Sequence, residues 1–182
     1  MRMEVVKLLA SLLIPLSIAL VGFLVQRALA AQSRSWKSHD RIVEKRIEVY
    51  EKIAEDLNRI YCYVMDVGTF RGETPDTIIA AKRNVDKFMY IYQAIWSEDT
   101  FRAFEEYQAS AFATYQGIGE DAGIRSPFEE KRVARERRNE AWLAGWNERF
   151  TGERDPKHGE KYRELVRLLS RDLMLTIHQS PD

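Results

Sequence analysis

Near the C-terminus, the stretch RDLMLTIH sets Arg171 and Asp172 ahead of His178, with seven positions from the arginine to the histidine. Seven residues are about two turns of an α-helix, so guanidinium and imidazole can share one face. An imidazole there could move a proton. A guanidinium could steady the charge that develops on a scissile phosphate, with Asp172 as the adjoining polar group. Arg171, Asp172 and His178 are therefore the candidate catalytic residues. The competing reading is structural, because His178 stands close to Asp182, the final residue, and frayed helix ends are poor seats for a base.

The remaining chemistry-bearing residues are few. Besides His178 there are His39 and His158, and one cysteine, Cys62. RDPKH, residues 154–158, repeats the arginine-to-histidine order with too few residues between and a proline inside. Cys62 stands among Ile60, Tyr61 and Val64, where a small buried thiol is the common outcome, and no base is placed to activate it. His39 lies among Arg34 and Lys37 and reads as solvated. His158 is followed at helical spacing by Lys161 and Tyr162, not by a further ligand, so neither a metal site nor any cofactor is predicted.

Two further stretches invite a phosphate. GIGEDAGIRSP, residues 117–127, holds three glycines, but their spacing fits neither phosphate-loop pattern and predicts a helix connection. EEKRVARERRNEAWLAGW, residues 129–146, interleaves Lys131, Arg132, Arg135, Arg137 and Arg138 with Glu129, Glu130, Glu136 and Glu140. Such alternation reads as a solvated helix face laced with i,i+4 pairs. The alternatives are a phosphate-contact strip, with Trp142 or Trp146 near enough to stack, or an oligomer interface.

The elements that must carry these residues are helical. Val43, Ile47, Tyr50, Ala54, Leu57, Tyr61 and Val64 alternate steps of four and three, the seam of a heptad, flanked by Ile42, Ile53 and Ile60. That helix either packs inside its own domain or pairs with another copy. GTFRGETPDT interrupts it, with Thr74 as N-cap and Pro75 as the first helical residue of a second helix carrying Ile78, Ala81, Val85, Phe88, Tyr92 and Ile95. Ser97 caps a third, bearing Phe101, Phe104, Ala111 and Tyr115 and stopping at Gly117. Ser126-Pro127-Phe128-Glu129 reads as a capping box opening a fourth helix, and Tyr162, Leu165, Val166, Leu169, Leu173 and Thr176 form the core face of a fifth.

Upstream lie 18 uncharged residues, Leu8–Val25, about 27 Å long as a helix and so long enough for a bilayer core. Lys7 and Arg27 bracket the run, and Pro15 and Gly22 are tolerable within a membrane helix. Ala28-Leu29-Ala30 resembles a signal cleavage site, but the run exceeds a usual h-region and Arg27 separates it from the cut. Arg2 and Lys7 precede the run, whereas Arg27, Arg34, Lys37, Arg41 and Lys45 follow it, which puts the body on the cytoplasmic side. The expected layout is an all-α chain: a single transmembrane helix over 5–30, a juxtamembrane linker over 31–40, and a cytoplasmic bundle of about five helices over 41–182. With 28 basic and 28 acidic side chains, no global field recruits nucleic acid or anionic lipid, so any such binding needs a local patch.

The arginine–polar–histidine spacing of Arg171, Asp172 and His178 resembles the signature of HEPN domains, helical bundles that often act as dimeric, metal-independent ribonucleases. An anchor joined to a helical body with such a motif is similar to the membrane-anchored accessory proteins of RNA-targeting (type VI) CRISPR systems and related anti-phage effectors. The resemblance implies an inner-membrane protein whose bodies assemble into a ring or pore in antiviral defence. The lipid bilayer, further copies of the chain, and RNA or a defence partner protein are the implied partners. The alternatives are an anchored HEPN-like ribonuclease or RNA binder, and a scaffold that recruits a soluble partner.

Overall fold

A computed structural model describes residues 40–114 and 121–174, together with Phe23, Gln26 and Arg27. The chain divides into two compact units, Met1–Ile42 and Val43–Asp182. In the first, the described residues are helical and exposed. The uncharged run Leu8–Val25 lies outside the described residues except for Phe23. Among the described residues no helix is long and apolar enough to cross a membrane.

The second unit is mostly helical and bundle-like. Its α-helices are α1 over 43–65, α2 Pro75–Ile91, α3 Glu98–Ala111, α4 Glu129–Glu136 and α5 His158–Asp172. Local chemistry sets several boundaries. Thr74 Oγ accepts the Thr77 N–H at 3.2 Å and Thr77 Oγ accepts the Thr74 N–H at 3.0 Å, closing a capping box ahead of Pro75. Ser97 Oγ accepts the Thr100 N–H at 3.3 Å and caps α3. After α1 the chain reverses through Asp66 and Gly68, both at positive φ. A Cβ on Gly68 would stand 3.1 Å from Cys62 Sγ, so this turn requires glycine twice over.

The core gathers Val49, Ile53, Leu57, Ile60 and Val64 of α1, Ile78, Val85 and Met89 of α2, Phe104, Tyr107 and Ala111 of α3, and Leu165 and Leu169 of α5. The buried stripe of α1 is turned away from the expected seam: Leu57 and Val64 are shared, but Ile53 and Ile60 take the centre while Ile47 faces solvent. Helix α1 therefore packs inside its own domain along this stripe.

Three expected helices are shorter than their patterns: α2 stops at Ile91, and Ile95 sits in a 3-10 turn, Gln93–Ile95. Helix α3 ends at Ala111 because β1, Phe112–Ala113, pairs antiparallel with β2, Gly123–Ile124, in the register Phe112↔Ile124. Tyr115 and Gly117 lie outside the described residues. Helix α4 stops at Glu136, and Asn139 then takes a left-handed conformation. Trp146 belongs instead to a 3-10 segment, Ala144–Arg149, where its indole N–H donates to Asp76 at 2.9 Å. Nor does Ser126 cap α4: the N-cap is Phe128, without a side-chain cap bond.

Candidate functional site

Arg171 and Asp172 close the last turn of α5 against the N-terminus of α3. The Asp172 carboxylate is buried and accepts the Ser97 N–H at 2.7 Å, while its backbone carbonyl accepts a bond from Arg46 at 2.7 Å. Burial pushes the Asp172 carboxyl up, but the Ser97 N–H and hydroxyl, the Thr100 hydroxyl and the Arg46 charge more than reverse this and leave it below the ordinary value. Arg171 is exposed, donates to Ser97 Oγ at 3.0 Å and lies 3.3 Å from Asp99. Both side chains thus join α5 to the cap of α3. His178 lies outside the described residues, so the structure brings together two of the three predicted residues.

A different histidine is the buried one. His158, the first residue of α5, is fully enclosed, with Nδ1 2.8 Å from Ser110 Oγ. Ser110 Oγ donates its proton to the Tyr107 carbonyl at 2.7 Å, so the short contact requires His158 to donate through Nδ1–H. Nε2 then carries the lone pair and has no hydrogen-bond partner among the described residues. The imidazole stacks on Tyr107 with centroids 5.1 Å apart, and burial lowers its pKa to about 4. A serine whose proton points to a carbonyl, beside a histidine that donates to it, is not an activated nucleophile. This pair holds α5 on α3. Sequence spacing had no signal for it, because Ser110 and His158 are 48 positions apart.

The basic strip is split by the fold. Lys131 is buried rather than solvated: its ammonium donates to Asp66 at 2.6 Å, Ser126 Oγ at 2.7 Å and the Pro127 carbonyl at 3.1 Å, and lies 5.0 Å from the Tyr63 ring centroid. Desolvation lowers its pKa, while the Asp66 hydrogen bond and charge oppose that shift. Arg154 completes the nest by pairing with the other Asp66 oxygen. Arg132 pairs with Glu136, and Arg135 and Arg138 pair with Glu140. The guanidinium of Arg137 has no ion pair or hydrogen bond among the described residues.

Two surface features remain. A cleft of about 220 Å³ runs between Arg71 on the 3-10 turn Gly68–Gly72 and α4 with the turn of Arg137 and Arg138 that follows it. At the end of α2, Tyr90 and Ile91 stand 54% and 61% exposed, and a cleft of about 380 Å³ near the start of α3 is lined by Trp96 and Phe101. Tyr90 meets Phe101 edge-on, its ring centroid 5.4 Å from that of Phe101. Among the described residues no cluster of three His, Cys, Asp or Glu side chains is placed to hold a metal ion. No protein-family model matches the chain, and neither a curated protein nor a solved structure is similar enough to it to count as a relative.

Proposed function

We infer that the chain is a membrane-tethered helical module that works by associating with further copies of itself, as an effector assembly of the kind met in bacterial antiviral membrane systems. The observation that carries this reading is the apolar corner of α2 and α3. Adjacent side chains as large as Tyr90 and Ile91, each more than half exposed, are costly to leave in water and mark association surfaces. The rim favours a second copy over a partner of one charge sign. Glu98, Arg102 and Glu105 line the cleft of Trp96 and Phe101, so a twofold-related copy would set Arg102 of each protomer against acids of the other. Among the described residues Arg102 pairs with Asp99 in an exposed ion pair, which exchanges at small cost.

The tether is read from the uncharged run Leu8–Val25 and the basic residues that follow it, and the antiviral setting rests on the resemblance in layout alone. A ribonuclease or RNA binder working through Arg171, Asp172 and His178 would have to draw Arg171 and Asp172 off Ser97. Association asks for no such rearrangement.

Mass photometry of the detergent-solubilised full chain, with and without Ile91→Glu, tests the reading. Particles at an integer multiple of the protomer mass, shifted toward the protomer by the substitution, are expected. A strictly monomeric particle, or an oligomer indifferent to Ile91→Glu, overturns it. A single stoichiometric foreign protein on the purified chain would favour the scaffold alternative.

A further inference from the structure

We propose that the cleft between Arg71 and the end of α4 binds the phosphate group of a small phosphate ester, gripped by Arg71 and Arg137, with Arg138 tying the two segments together. Glu130, Val133 and Ala134 lie on one face of α4, Arg137 and Arg138 follow in the turn that ends it, and together they look onto Phe70 and Arg71 across the cleft. The Arg138 guanidinium donates to the Arg71 carbonyl, which brings the two basic segments side by side. Around the cleft, Arg132, Arg135, Arg138 and Arg154 each have a carboxylate partner. Arg71 and Arg137 have none among the described residues, and both line the cleft.

Setting Glu130 and Glu140 against the three guanidinia leaves one positive charge, and the carbonyl end of α4 takes back about half of it. The field alone is therefore modest. Geometry supplies the rest, because a guanidinium offers parallel N–H donors that match phosphate oxygens two at a time. Beside these donors, Val133, Ala134 and the edge of Phe70 give an apolar wall for the ester arm. A space of about 220 Å³ suits one phosphoryl group and its arm, not a folded polymer. The open cleft between α3 and α5 is a weaker candidate, since Lys161 there is already paired with Asp155 and three of its other lining residues are glutamates.

The site is independent of the association corner and is tested separately, by calorimetric titration of the full chain in detergent with adenosine monophosphate at fixed ionic strength. One saturable site is expected, from which inorganic phosphate displaces the nucleotide. Arg71→Ala and Arg137→Ala should each weaken binding about tenfold or more, since each removes charge-assisted bonds. Arg137→Lys should weaken it as well, because an ammonium lacks the fork. Arg132→Ala, outside the cleft, should leave it unchanged, and far-UV circular dichroism should match the parent throughout. Absence of saturable binding, or titration curves for Arg71→Ala and Arg137→Ala that match the parent, overturns the proposal.

Discussion

Replacing Asp172 and Arg171 one at a time separates a structural corner from a catalytic one. Asp172→Ala removes a buried carboxylate that accepts the Ser97 N–H at 2.7 Å. A hydrogen bond to a charged acceptor contributes about 1.5–3 kcal/mol, and the orphaned donor adds to the loss. A cost of about 2–3 kcal/mol follows, or about 5–10 °C in Tm for a body of this size. Arg171→Ala removes an exposed pair with Asp99 and should cost about 0–1 kcal/mol. The pH dependence has a definite sign. Because the folded Asp172 pKa is lowered, its stabilisation is present above the unfolded pKa near 4 and is lost as pH falls through the lower folded value. The gap between parent and Asp172→Ala should therefore narrow in acid. Chemical denaturation of the full chain at several pH values, followed by circular dichroism, reads all three outcomes. Equal and small effects of both substitutions on stability would refute the reasoning, and joint loss of RNA cleavage without loss of stability would return the pair to catalysis.

Acid should also act through His158. Its folded pKa of about 4 lies below the unfolded 6.5, so the neutral ring stabilises the fold above pH 6.5, and about 3 kcal/mol is lost as pH falls through that window; a His158→Gln chain should lose less over the same range in a denaturation series. Lys131→Ala uncovers Asp66 and Ser126 inside the protein and should cost about 3 kcal/mol, whereas Arg132→Ala, an exposed i,i+4 pair at 3.6 Å, should stay within about 0.5 kcal/mol; paired melting curves check the contrast. Thr74→Ala opens the α2 capping box and should cost about 1 kcal/mol, measured the same way.

The signals that survived folding were local ones. Thr74, Pro75 and Ser97 do what their side chains dictate within three residues, so both helix starts were legible. Ser126 looked the same on paper. Yet the fold carries it under α1, where it donates to the Val64 carbonyl at 3.2 Å, 62 positions earlier, and accepts from Lys131. Along α1 the covered face takes Leu57 and Val64 of the expected seam and the flanking Ile53 and Ile60, while seam residue Ile47 is exposed, because α2, α3 and α5 choose which face is covered. The stop of α4 had a readable sign in Asn139, a residue that accepts left-handed geometry. The β1–β2 pairing had none, since Phe112 meets Ile124 across the loop. In the candidate catalytic set, the helix that carries Arg171 and Asp172 was legible; that Ser97 and Asp99 claim both side chains was not, for those lie more than 70 positions earlier.

Self-association through the α2–α3 corner is the claim on which the functional account turns, and disulfide trapping in native membranes addresses it without detergent. In a Cys62→Ala background, Ile91→Cys places one thiol on the exposed apolar corner, and Glu164→Cys places one on the outer side of α5. Mild oxidation should give a covalent dimer with Ile91→Cys and none with Glu164→Cys. Equal trapping at both positions, or none at Ile91→Cys, would contradict the account.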